Sequence, residues 1–365
     1  MKSGSRAEVD KINTLPDPPK AVTRIVTRGR VLLVSALLGG LLLLVMVFSA
    51  LLGSARIDPR RSIEMMLRML LGLPSGGTET EEAILFSIRF PRVLLAAVVG
   101  AGLSVSGAAF QALLRNPLAD PYILGVSSGA AVGAISAILL GLGALSLATP
   151  LIASLGALLT ILAVFYFGRQ DGKIHPHTLL LAGVIIGSFL SALIMFFISI
   201  SPKEELRTII FWLMGDLSIA NYRAIGVIFP YVVLGFVSLY LHARPLNLIL
   251  SGEEHAVQLG VDVERLKGLC YFSASLITAA SVSACGLIGF VGLIIPHSVR
   301  LLLGPDHRLL LPASGLLGAS FLVASDTVAR TLLAPVELPV GVITAAFGGP
   351  FFIYLLKARK VVRTI

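Results

Sequence analysis

The chain has 365 residues, of which 56% are hydrophobic and only 13% charged, where soluble domains carry roughly a quarter charged residues. Even with a formal net charge of +9, so much apolar sequence cannot be hidden in a water-soluble core, which excludes a soluble enzyme or a nucleic-acid binder. It requires spans of about 20 residues across a hydrocarbon layer of about 30 Å. Backbone polar groups in that layer must be satisfied internally, and the apolar segments are too long for barrel strands, so the expected fold is all-α.

Apolar windows near 31–52, 93–114, 122–142, 146–167, 178–200, 224–241, 268–285, 287–303, 309–329 and 338–356 predict ten transmembrane helices. The first window is longer than a signal-peptide core, so it is read as a retained span, preceded by an amino-terminal extension, 1–30. The segment 53–92 carries six Lys/Arg, among them Arg89 and Arg92 in IRFPR at the mouth of the second span. Snorkelling anchors explain these two plainly; grouped with Arg330, they would also suit carboxylates of a soluble partner. RNPLADP, Arg115 to Pro121, is a proline-rich turn signal, and Asn116 and Leu118 within it are candidates to close a pore between facing subunits.

Glycines 125, 129 and 133 form a small-xxx-small face on the third span, which reads as helix packing. The same stretch matches G-x-S-x-G around Ser127, but that nucleophile pattern needs a strand-to-helix turn, and no strand is expected here. His175 and His177 flank Pro176 in a turn without a neighbouring carboxylate or cysteine, so capping or burial is the better reading than metal ligation. Between the sixth and seventh spans lies a polar island, Ser251 to Gly260, reading SGEEHAVQLG. Ser251 followed by Glu254 is a capping-box pattern that predicts a short helix ended by Gly260, presenting Ala256, Val257 and Leu259 beside Glu253 and Glu254. The uncharged run Leu269–Val299 exceeds one span and is split at its glycines. Cys270 and Cys285 lie in that region as buried thiols, with neither disulfide nor metal site expected. Asp326 and Arg330 are four apart, the spacing of a same-face helix pair.

Ten spans put both termini on one side, and the segments on that side hold nineteen Lys/Arg against ten on the other, which makes it the cytoplasmic side. The polar island then faces the cytoplasm. The chain has no GxxxxGK[ST] phosphate loop, Gly172-Lys173 being the nearest fragment, so ATP-driven work would need another subunit. An ion-coupled secondary transporter, the rival class, needs ionisable groups near the membrane midplane, and His297 and Asp326 are the only ones that tempt.

Taken together, RFPR at 89–92, GAAFQALLRNPLADPYILGVSSGA at 107–130, FWLMGDL at 211–217, SGEEHAVQLG at 251–260, GFVGLIIPHSVRLLLGPDHRLLLP at 289–312, SDTVAR at 325–330 and ELPVGVITAAFGGPFFIYLL at 337–356 resemble the FecCD family. These are permease subunits of bacterial ABC importers for iron chelates, haem and vitamin B12. The resemblance implies a ten-helix permease domain of the type II importer architecture over 31–357, with a short tail, 358–365, in the bacterial inner membrane and with both termini cytoplasmic. It implies a second copy of the chain, two cytoplasmic ATPase subunits that bind ATP and Mg, and a periplasmic or lipid-anchored binding protein. The cargo implied is a ferric siderophore or haem, with cobalamin next, and no cofactor on this chain. By the same analogy Ser251, Gly252, Glu253, Glu254, Ala256, Leu259 and Gly260 form the coupling helix seated in the ATPase. Arg89, Arg92 and Arg330 dock glutamates of the binding protein, and Asn116 and Leu118 form a cytoplasmic gate. A second gate loop, built of small hydroxyl residues in the family's vitamin B12 importer, falls at Pro176 and His177. The extension 1–30 and the stretch 60–82 carry no family motif.

Overall fold

The computed structural model describes residues 26–53, 55, 57–142, 147–170 and 172–362. Most of the expected amino-terminal extension and the last residues of the tail lie outside these. The chain opens with α1 (Arg28–Leu51), whose first turn is capped by the Thr27 hydroxyl accepting from the Arg30 N–H. A short helix, α2 (Pro59–Leu70), follows; Asp58 caps it and Pro59 supplies a preset first turn. This helix lies in the stretch 60–82, for which the sequence motifs implied nothing.

The next helix, α3 (Glu79–Leu113), is 35 residues long and starts well before the predicted 93. A true capping box, Thr78 with Glu81, sets its start, and a π-helical turn at Ala83–Arg89 carries it into the apolar part. After the polar turn and a 3₁₀ turn at Pro121–Leu124 come α4 (Val126–Leu139) and α5 (Ala148–Phe167). A two-residue antiparallel hairpin, β1 (Arg169–Gln170) with β2 (Lys173–Ile174), is the exception to the all-α expectation. Then follow α6 (Pro176–Ile200), α7 (Lys203–Leu213), α8 (Tyr222–Leu241), α9 (Ala243–Ser251), α10 (Glu253–Gln258), α11 (Val263–Cys285), α12 (Val291–Leu303), α13 (His307–Thr331) and α14 (Val340–Val362).

Every predicted apolar window thus becomes a helix. Among the described residues, seven helices are long and apolar enough to cross a membrane, and three apolar segments are shorter, in α4, α12 and α14. With 14 residues, α4 spans about 21 Å at 1.5 Å per residue, short of a bilayer core. The uncharged run breaks as expected, at Gly286, whose φ of +73 a side chain would strain. The irregular backbone there is tolerable because protein groups satisfy it. The Cys285 carbonyl accepts from Asp216 N–H, and the Tyr122 hydroxyl accepts from Ile288 N–H.

Burial orders the bundle. Most of the apolar stretches of α3 (78%), α11 and α13 are buried, whereas none of that of α1 is, so α3, α11 and α13 form the centre and α1 flanks them. The centre is tight because glycine removes the side chain where helices cross. A Cβ on Gly107 of α3 would overlap the Gly292 carbonyl of α12, and one on Gly100 would overlap that of Gly318 in α13. The third-span glycines all pack closely: Gly129 and Gly133 lie against the backbone of α5 at Gly156 and Ile152, and Gly125, which precedes α4 with φ +71, lies against that of α6 at Gly183 and Gly187. Ser127 is buried in the first turn of α4, after a 3₁₀ turn and not after a strand, so the hydrolase context is missing. Gly107→Ala is expected to destabilise the protein by about 1–3 kcal/mol, because the methyl meets fixed backbone. Thermal unfolding in detergent measures it, and an unchanged melting temperature would mean that α3 and α12 do not cross this closely.

Candidate functional site

Two ends of the bundle carry polar chemistry. At one end the chain turns between α9 and α10. The apolar face of α9, with Leu246 and Ile249 buried, draws Ser251 into its last turn. Ser251 therefore does not cap the next helix: its hydroxyl sits near the Asn247 carbonyl, and the cap of α10 is Gly252, at φ +135. The capping box expected from Ser251 and Glu254 is thus replaced by a glycine corner, because only glycine takes that backbone angle freely. Ala256, expected on the outer face, is buried under α10, while Val257 and Leu259 are 59% and 67% exposed. Gly260, at φ +82, ends the helix as predicted.

The turn that contains Asn116 and Leu118 lies at the same end. Asn116 Oδ1 accepts from Leu118 N–H at 2.9 Å, which tightens the turn and leaves Leu118 exposed. Arg115 begins the turn at φ +47, an unusual angle for a residue with a side chain. Asp120 ends it by capping Tyr122 N–H at 2.9 Å; burial pushes its carboxyl up to about 6, against that hydrogen bond, which lowers it. Pro176 and His177, expected in a gate loop, are helical: Pro176 opens α6, His175 is its cap residue, and the hairpin β1–β2 takes the place of the loop. Proline fits a first helical position, where no N–H is needed, which is why the helix starts there. Among the described residues no three His, Cys, Asp or Glu gather as a metal site.

Ion pairs knit these segments together. Glu253 of α10 meets Arg115 Nη2 at 3.2 Å through one oxygen and Lys267 Nζ at 2.7 Å through the other. Lys267, in α11, is buried and also donates to the Ile174 carbonyl of β2 at 3.2 Å and to Glu264 at 3.3 Å. Glu264 accepts in turn from Ile174 N–H at 2.6 Å, and Arg115 donates to the Ile249 carbonyl of α9 at 3.0 Å. Nearby, Asn247 of α9 donates to Asp306 at 2.9 Å and accepts from His307 N–H at 3.0 Å, fastening α9 to the start of α13. Burial works to raise the Asp306 carboxyl; hydrogen bonds from Arg308, side chain and backbone, and from Asn247 overcome it and hold it at about 2. Sequence reasoning missed Lys267, Glu264 and Asn247; the one legible signal was a lysine placed four residues into an apolar helix.

At the opposite end lie the three arginines expected to dock a partner's carboxylates. Arg89, Arg92 and Arg330 do not project from a surface: all three are buried. Arg92 Nε lies 2.9 Å from Asp326 and its Nη1 2.6 Å from Glu337. Arg330 Nε is 3.3 Å from Asp326, the pair expected from their spacing, and its Nη2 donates to the Ser49 carbonyl at 2.6 Å. Arg89 donates to the carbonyls of Ala50, at 3.0 Å, and Leu51, at 3.1 Å, at the end of α1. Burial is tolerated because each guanidinium finds carboxylates or helix-end carbonyls in reach. The three line a narrow cleft of about 100 Å³ with Glu337. Much of the arginine excess on this side is therefore consumed internally, since Arg61 and Arg68 also pair, with Glu81 and Glu64.

Residues 41–358 match the model of the FecCD transport family. The chain is 48% identical to the cobalamin import system permease protein BtuC of Halobacterium salinarum over 289 residues, 79% of this chain and 77% of that protein. It is 47% identical to an uncharacterised ABC transporter permease, YvrB, of Bacillus subtilis, over 75% of this chain and 78% of that one. It is 41% identical to the vitamin B12 import system permease protein BtuC of Escherichia coli, over 82% and 94%. Among solved structures, an inward-facing one assigned to the metal-chelate type of ABC transporter superposes with a TM-score of 0.77 at 34% identity, covering 90% of this chain and 99% of that one. A second, PsaBC from Streptococcus pneumoniae with a Fab, superposes at 0.53 and 18% identity and shares the fold alone.

Proposed function

Because this chain belongs to the FecCD transport family, and is therefore a multi-pass ABC-importer permease and not an enzyme, we propose that its cargo is a cobalamin. The observation that carries this reading is 48% identity, over most of both chains, to a permease named for cobalamin import. It moves cobalamin ahead of the siderophore or haem that the sequence motifs alone put first. Two copies enclose one pathway in the inner membrane, with α10 and both termini on the cytoplasmic side. ATP and Mg are held by two separate ATPase subunits, and α10, with Val257, Leu259 and Glu254 exposed, is the part that enters the ATPase. Asn116 and Leu118 bound the cytoplasmic gate, and the hairpin β1–β2 together with Pro176 and His177 at the start of α6 forms its second side.

A binding protein outside the membrane delivers the cargo. Its carboxylates meet this chain at the cleft of Arg89, Arg92 and Arg330, where they compete with Glu337, the most exposed acid of that cluster. The ion-coupled alternative is disfavoured by the cluster itself: Asp326 is held between two arginines, at 2.9 and 3.3 Å, and so is not a free proton or cation carrier.

The test is uptake into vesicles that contain this chain and its ATPase, with binding protein loaded in turn with cobalamin, haem or a ferric siderophore. ATP-dependent accumulation of cobalamin, absent without hydrolysis, is expected. Accumulation of another chelate overturns the cargo, and uptake driven by an ion gradient without ATP overturns the importer.

A further inference from the structure

We propose that Lys267 and Arg115 are positioning residues which, through the single carboxylate of Glu253, tie the ATPase-facing helix α10 to both sides of the gate. The inference rests on the importer reading above and adds the path by which movement of α10 reaches the gate. Glu253 uses one oxygen for each cation: Oε2 lies 2.7 Å from Lys267 Nζ, and Oε1 3.2 Å from Arg115 Nη2. Each cation then grips a different gate segment. Lys267 donates to the Ile174 carbonyl of β2 at 3.2 Å, and Arg115 is the first residue of the turn that holds Asn116 and Leu118.

Chemistry makes Lys267 a stiff link. An ammonium has three protons to donate, and Glu253, Glu264 and the Ile174 carbonyl take all three at 2.7, 3.3 and 3.2 Å. With its partners in place the side chain is 4% exposed, and a buried charge that loses its partner is costly. Displacing α10 therefore either carries β2 along or breaks the pair. Glu264 closes the loop by accepting from Ile174 N–H at 2.6 Å, so that β2 is held at both its N–H and its carbonyl by residues of α11.

Arg115 is the softer link. Its backbone sits at φ +47, where a residue with a Cβ is strained, and its guanidinium is divided between the Ile249 carbonyl at 3.0 Å and Glu253. Both partners belong to the α9–α10 corner, so that corner holds the turn in its strained form. When the corner moves, the turn is free to relax, and Leu118, 42% exposed at its tip, shifts with it. A two-state element biased from a distant site is the physical content of such a coupling.

The experiment uses the full transporter in vesicles and reads cobalamin accumulated per ATP hydrolysed. Lys267→Gln is expected to lower that ratio about tenfold, within the usual range of coupling between sites, while Lys267→Arg, which keeps charge and donors, restores most of it. Arg115→Gln lowers the ratio as well, and Glu253→Gln, which weakens both links at once, lowers it at least as far as the stronger single variant. Wild-type ratios in both single variants, or a wild-type ratio in Glu253→Gln, overturn the proposal. Should Lys267→Gln not assemble, Arg115→Gln carries the test, its side chain being 41% exposed. If the unaltered transporter shows no ATP-dependent uptake, it is the importer reading that has failed. The link is then judged on the purified chain with nitroxide labels at Leu118 and Val257: Arg115→Gln broadens their distance distribution if the link exists and leaves it unchanged if it does not.

Discussion

Asp326→Ala is expected to destabilise the protein by about 3–5 kcal/mol, the cost of breaking a buried ion pair from one side. Asp326 is fully buried between Arg92 at 2.9 Å and Arg330 at 3.3 Å, with Arg89 nearby in the same cluster. Without it, Arg92 keeps Glu337 and Arg330 keeps the Ser49 carbonyl, but two guanidiniums face each other with no charge between them. Asp326→Asn, which retains an oxygen acceptor and the shape, is expected to lose less. Unfolding in detergent, followed by intrinsic fluorescence, measures both. A loss below about 1 kcal/mol for Asp326→Ala, the scale of an exposed pair, would show that water reaches these arginines. In that case they are surface groups, as the family resemblance implies, and direct docking of a partner's carboxylates needs no displacement of Glu337.

Leu259→Asp is expected to abolish ATP-driven uptake while leaving the melting temperature where it was. Val257 and Leu259 are exposed apolar side chains on and just after a six-residue helix whose inner side is anchored by Ala256. They add nothing to the fold, and in the proposed importer the ATPase covers them. An anchor of an interface is worth about 2 kcal/mol or more, so a charge placed there weakens ATPase association roughly thirtyfold. Titrating the purified ATPase onto the solubilised permease reads this directly. Wild-type association by Leu259→Asp would move the ATPase contact away from α10 altogether. Glu254→Ala, at the rim of the same helix, is expected to change association far less, since rim charges contribute mainly to encounter and little to holding.

How much of the architecture is legible in the chain depends on how local each signal is. Apolar runs bounded by charge and glycine announce all ten apolar helices, because hydrophobicity over about 20 residues is a property of contiguous sequence. The break near Gly286, the stop at Gly260 and the packing of Gly129 and Gly133 are legible for the same reason. The start of α3 is not: a π-helical turn and a capping box at Thr78 lengthen it into a charged stretch that hydropathy assigns to a loop. Ser251 has the sequence signature of a cap and is instead the end of α9, because packing of Leu246 and Ile249 extends that helix by its own apolar face.

The candidate sites divide along the same line. Composition, the ten apolar segments, family and the exposed tip of α10 were determined by the sequence itself, since each rests on residues adjacent in the chain. Whether Arg89, Arg92 and Arg330 point outward or inward was decided only by tertiary structure: Arg92 meets Asp326 across 234 residues, and Arg330 meets Ser49 across 281. So was the link from Glu253 to Arg115 and Lys267, which joins the turn of Asn116 and Leu118 to α10 and α11. A charge declares its sign in the sequence, but its role depends on whether a counter-charge lies within about 4 Å, where their interaction is strong. That separation is set by how the helices pack.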